Sequence, residues 1–177
     1  MSITQAVRLQ VRQRANFACE FCGVTETDTG GELTVDHFRP QTKGGTDDLD
    51  NLLYSCQRCN QYKADYWPTH PDDPVLWNPR QESLATHLLI LTDGTLYPVT
   101  PTGAFTLKRL RLNRPPLIAY RLRTHYRTEE QRLLTQYREV VTLLEKLHQQ
   151  QVALLEEQRA LLEEQRTLLT LLLKHKE

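Results

Sequence analysis

No apolar run in this 177-residue chain approaches the roughly 20 residues that span a bilayer, which excludes a membrane-crossing helix. The opening Met1-Ser2-Ile3-Thr4-Gln5 lacks the apolar core of a secretory signal, so a cytoplasmic protein is expected. Net charge is absent: 22 Lys and Arg balance 22 Asp and Glu, and the total gives no argument for a nucleic-acid partner. Cysteine is scarce, with four residues confined to positions 19–59. Without an export signal, that favours a reducing compartment and metal thiolates over disulfides. Acidic residues are missing from Lys108 to Arg127, and proline and glycine do not recur after Pro116. These last two gaps each mark a segment with its own character.

The four cysteines form two C-x2-C pairs, Cys19/Cys22 and Cys56/Cys59. Such knuckles supply four thiolates at the corners of a tetrahedron, as a structural Zn²⁺ requires, and four thiolates leave no open position for water. The gap between the pairs is longer than in a plain zinc ribbon. Its insert carries Val35-Asp36-His37-Phe38-Arg39-Pro40, Gly44-Gly45 and Asp50-Asn51-Leu52-Leu53, and Asn60-Gln61-Tyr62-Lys63 follows the last cysteine. Asp, His and Asn together are the ingredients of a hydrolytic metal site.

In order, residue type and spacing, this run over residues 3–66 resembles the HNH endonuclease family in its zinc-stapled form. The resemblance implies a ββα-metal head and metal-dependent hydrolysis of DNA. His37 is then the general base, since a neutral imidazole can take a proton from water. Asp36 and Asn60 are the expected ligands of a catalytic ion, their hard oxygens suiting Mg²⁺ or Mn²⁺. The family often has His where this chain has Asn60. Asn51 resembles the family's middle asparagine and is expected to hold the His37 ring or the loop backbone in register. Because neighbouring side chains point oppositely from a strand, Asp36 is expected to reach the metal only if the chain turns there. Arg39 and Lys63 are candidate phosphate contacts.

The expected architecture is α+β in three parts: a nuclease head (1–66), a strap, hairpin and short helix packing on it (67–114), and a long helix (115–177). Ile3, Val7 and Val11 recur at helical spacing over 3–16, and residues 24–31 read as a polar turn. Leu33-Thr34-Val35 and Leu52-Leu53-Tyr54 read as short strands, with a helix from about Gln57 to Ala64. Prolines exclude a helix over 67–80, where both tryptophans call for burial. Asp93-Gly94 between short apolar runs predicts a hairpin, and a helix is expected from Ala104 to Leu112 after Thr102-Gly103. The run Gly-x2-Thr-x3-Leu-x-Leu-Asn-Arg also resembles an extension behind some bacterial HNH modules.

From Lys108 to Arg127 the chain carries Lys108, Arg109, Arg111, Arg114, Arg121, Arg123 and Arg127, an electrostatic footprint for DNA that the zero total conceals. Beyond Pro116 a single helix to the end is expected. Its heptads are open: Ala153-Leu-Leu-Glu-Glu-Gln-Arg159 is followed by Ala160-Leu-Leu-Glu-Glu-Gln-Arg166. Leu133 to Leu168 occupy d and Leu134 to Leu169 occupy e, while Gln151, Gln158 and Gln165 fall at a. A stripe this wide requires a partner helix, either in a homo-oligomer of two to four chains or from another protein. The chemistry of the head and the coiled coil together point to a DNA endonuclease, with bacterial restriction or phage defence implied by resemblance alone. The alternative is a non-catalytic zinc module that binds nucleic acid and scaffolds a partner.

Overall fold

The computed structural model of the chain describes residues 3–174, in two compact units that divide at His125 and Tyr126. Helix α1 (Gln5–Arg14) starts where Thr4 caps the amide of Val7, and it buries Val11 against the strands that follow. The turn expected at 24–31 contains a short helix α2 (Glu26–Thr29), because Thr25 and Asp28 form a reciprocal capping box.

Strands β1 (Thr34–His37) and β2 (Leu52–Ser55) pair antiparallel, with Val35 opposite Tyr54 and Asp36 opposite Leu53. Helix α3 (Gln57–Lys63) is capped by Cys56, whose sulfur accepts from the Cys59 amide at 3.5 Å. Val11, Leu52 and Tyr54 make the core between α1 and the sheet. Three elements converge on one polar knot there. The Tyr54 hydroxyl donates to Glu26 and accepts from the Leu33 amide, while Arg12 forks onto Glu26 at 2.6 and 2.7 Å.

Residues 67–80 form the expected non-helical strap. Trp77 is buried, its amide donating to Thr106 and its ring nitrogen to the Glu82 carbonyl. Trp67 is only half-buried, edge-on to Phe38 and beneath the Arg39 guanidinium. A one-turn helix α4 (Leu84–His87) leads into β3 (Leu88–Ile90) and β4 (Leu96–Pro98), the predicted hairpin. Its loop holds Asp93-Gly94 and is closed by Leu91 N–H to Thr95 O and by Gly94 N–H to Leu91 O.

Helix α5 (Pro101–Arg109) begins three residues before the sequence expectation. Thr100 caps it through the Gly103 amide, and Pro101 at the first position is preset for a helix. Gly103 is required, since a Cβ there would lie 2.2 Å from the His87 carbonyl oxygen. The helix stops at Arg109, and Arg111 adopts a left-handed φ of 49° beyond it. Leu110 and Leu112 then drop into the core shared with Cys19, Phe21, Cys56, Cys59 and Trp77.

Helix α6 (Pro115–Lys174) is continuous, and among the described residues no helix is long and apolar enough to cross a membrane. Its part in the second unit exposes leucine throughout, Leu133, Leu154 and Leu161 among them. The expectation of helix to Glu177 lies, for residues 175–177, outside the described residues.

Candidate metal centre and catalytic loop

The first knuckle is shaped by backbone bonds from Cys19 N–H to Val24 O and from Gly23 N–H to Cys19 O. The second is the start of α3. Together they bring the four sulfurs within 4.8 Å of one another, with Cys22 and Cys56 3.7 Å apart and no disulfide. Zn–S bonds of about 2.3 Å in a tetrahedron imply S···S separations of about 3.8 Å, so the donor set fits zinc in kind, number and spacing. The other thiols, Cys19 foremost, hydrogen-bond to Cys56 and hold it well below the ordinary thiol range. Arg114 adds a cation, one of its N–H groups lying 3.9 Å from the Cys59 sulfur. The Tyr120 hydroxyl closes over the first knuckle by donating to Gly23 O at 2.7 Å.

The loop between β1 and β2 is pinned by Asn51. Its amide oxygen accepts from Arg39 N–H at 2.8 Å, and its nitrogen donates to the carbonyls of Thr46 and Arg39. Asn51 therefore engages the loop backbone rather than the His37 ring. Gly45 permits the tight return, because a Cβ there would meet Arg39 O at 1.8 Å. The loop delivers Asp47 to His37: Nε2 of the ring lies 2.7 Å from Oδ1 of the carboxylate. Gln41 donates to the same oxygen at 2.8 Å. The His37 bond chiefly, aided by Gln41, holds the Asp47 carboxyl below the ordinary carboxylate range. Sequence patterns alone did not single out Asp47. Its signal was the acidic run behind the glycine pair, Thr46-Asp47-Asp48.

Asp36 lies within β1, and its side chain meets Lys63 of α3, the helix that also carries Asn60 one turn earlier. Lys63 Nζ lies 3.0 Å from Asp36 Oδ2, and Asn60 Nδ2 reaches Thr34 Oγ1 at 3.4 Å. Oδ2 of Asp36 is buried, with the Lys63 ammonium as its ion-pair partner and no hydrogen bond. Lys63 is fully buried, which takes it from the surface where a phosphate contact was expected; neutralising Asp36 is the work it does here.

The basic stretch divides. Arg109 donates to Lys63 O and stacks over Tyr66; Arg121 donates to the carbonyls of Gly94 and Leu112. With Arg114, these are half-buried guanidiniums tied to carbonyl and sulfur acceptors, as burial of so many donors demands. Lys108, Arg111, Arg123 and Arg127 remain exposed, Arg111 over the Tyr62 ring. Arg39, also exposed, donates to Lys43 O. A groove of about 910 Å³ lies beside Thr34 and is walled by Arg58, Tyr62, Arg114 and Arg123, with Asp28 and Glu32 also on its lining.

Residues 19–65 match the family model for the HNH endonuclease, so this segment is an HNH endonuclease domain. The chain is also similar to the CRISPR-associated endonuclease Cas9 of Corynebacterium diphtheriae, at 40% identity over 58 residues. That alignment covers 32% of this chain and 5% of the Cas9 protein. No solved structure matches the chain.

Proposed function

We propose that the HNH domain makes this chain a metal-dependent DNA endonuclease whose general base is His37. The observation that carries the reading is the His37–Asp47 pair beside a strand that also holds Asp36 against α3. An Asp47 carboxylate accepting from Nε2–H fixes the tautomer in which Nδ1 is free to take a proton from water. Asn51 keeps the loop, and so Asp47, in place. Asp36 and Asn60 would hold a hard divalent ion, Mg²⁺ or Mn²⁺, which when bound supplies charge stabilisation at phosphorus and at the leaving oxygen. Lys63 then offsets the Asp36 charge from the protein side. The thiolate site holds zinc and anchors the start of α3, which carries Asn60. Exposed Arg39, Lys108 and Arg111, with Arg58 and Arg123 of the groove, offer phosphate contacts.

The apolar stripe of α6 supports assembly of several copies. Heads held together on one duplex would convert paired nicks into double-strand breaks through effective concentration. A role in bacterial restriction or phage defence is suggested by the family resemblance alone.

The test is plasmid nicking by the purified protein with Mg²⁺, with Mn²⁺ and with EDTA. Cutting is expected with either metal and not with chelator. His37→Ala is expected to lower the rate by about 10²- to 10⁴-fold while circular dichroism stays unchanged. A variant that cuts at the parental rate, or a parental protein that binds DNA without cutting, refutes the proposal.

A further inference from the structure

Self-assembly through α6 leaves the arrangement of the copies open, and the surface chemistry of the second unit decides it. At 100° per residue, the row Tyr137, Leu144, Gln151, Gln158, Gln165 forms the centre of the stripe. The heptad row from Leu133 to Leu168 flanks it on one side, and the row from Leu134 to Leu169 on the other. Outside these lie two edges of opposite sign. Glu157 and Glu164 stand on the first, beyond the Leu133 row; Arg159 and Arg166 stand on the second. All four are exposed, and Arg159 pairs loosely with Glu163 of the same helix at 3.7 Å.

Rotational symmetry about an axis along the helices brings the first edge of each copy against the second edge of its neighbour. Glu157 and Glu164 then face Arg159 and Arg166, and each central glutamine shares a layer with its own equivalent. Glu145, the acid on the basic edge, meets only Leu143 and Gln150. An antiparallel pair brings like edges together instead. Centred on Gln158, it sets Glu157 against Glu157 and Arg159 against Arg159. Slid to cover the stripe from Leu133 to Leu171, it sets Arg138 against Arg166 and Glu145 against Arg159, so its rim charges cancel, and it buries Gln158 and Gln165 against Leu144 and Tyr137. Unpaired amides in an apolar seam oppose that register, and it offers no net gain at its rim to offset them.

We propose that the occupant of this stripe is the same helix of further copies of the chain, packed parallel and in register. The inference rests on the assembly reading above and adds its direction: every copy carries its head at the same end.

Two measurements on full-length, zinc-loaded protein test it. In the first, light scattering at micromolar concentration gives the mass of the parent, of Arg159→Glu/Arg166→Glu, and of that variant with Glu157→Arg/Glu164→Arg added. The parent is expected to be oligomeric, and the first variant to dissociate about tenfold more readily at low salt. The fourfold variant is expected to recover. In the second, a spin label on a ketone-bearing residue at exposed Thr135 spares the zinc cysteines. Parallel copies place the labels within about 30 Å, given helix axes 8–10 Å apart. Antiparallel overlap of the whole stripe places them about 50 Å apart. An oligomer whose mass ignores the charge reversal, or whose labels are far apart, overturns the parallel arrangement and leaves assembly standing. A monomeric parent overturns assembly itself.

Discussion

Asp47 is the residue at which positioning and structure can be separated. It is exposed and its carboxylate bonds to His37 and Gln41, so Asp47→Asn should leave the fold intact. Removing the carboxylate frees the imidazole tautomer, and a fall of about 10- to 100-fold in nicking rate is expected. Because the folded protein holds this carboxyl below its ordinary range, the His37–Asp47 bond is fully present at neutral pH. It weakens only as pH falls through the depressed value, so the variant and the parent should converge in acid. The cysteines behave differently. Elemental analysis is expected to find about one zinc per chain, and Cys56→Ser should unfold the head rather than slow it, since thiolate–zinc bonds are folding energy. A folded, reduced, zinc-free protein would contradict this. Both C-x2-C pairs and Asp36-His37 could be read from the sequence, because each is a fixed local spacing. Asp47, ten residues from His37, depends on a loop path set by Asn51 and Gly45, and local spacing does not encode such a path.

At the level of elements, the run from Gly103 to Arg114 acts as a clasp rather than a DNA arm alone. Asn113 bridges both backbone groups of Leu96, Thr106 accepts from the Trp77 amide, and Arg114 reaches the Cys59 sulfur. The strands, α3 and the hairpin were legible because apolar runs and turn residues mark them locally. The starts of α2 and α5 were not, because one capping threonine decided each. Counting arginines along the chain likewise yields their sum and not their partners. Substitutions should therefore sort by exposure. Replacing Lys108, Arg111 and Arg123 with glutamine is expected to flatten the log–log salt dependence of DNA binding by about 0.9 for each phosphate no longer neutralised, with thermal stability unchanged. Arg121→Ala leaves the carbonyls of Gly94 and Leu112 without that donor, and it should lower the melting temperature instead. Equal effects of the two sets on salt slope would return Arg121 to the DNA surface.

For the molecule as a whole, the helix and the head pose different problems: the long helix carries an apolar stripe that, on the assembly reading, further copies cover. Its described leucines from 133 to 171 are exposed along a seven-residue period that a single chain has no means of covering within the second unit. On the nuclease reading proposed above, a head with one base and one candidate ion site cuts one strand per encounter, so a double-strand break needs a second head or a second visit. Joining heads through the helix raises the local concentration of the second head to about the millimolar range for a short connection. Removing residues 150–177 takes away most of the repeated leucine heptads and leaves every residue of the head and clasp. The truncated protein is expected to have a lower mass by light scattering and to retain its nicking rate per head. Its ratio of linear to relaxed plasmid at equal turnover should fall several-fold, because the second cut reverts to a bimolecular event. A linear fraction that is unchanged while the mass drops would mean that each head cuts both strands unaided, and the helix would then serve a purpose other than pairing cuts.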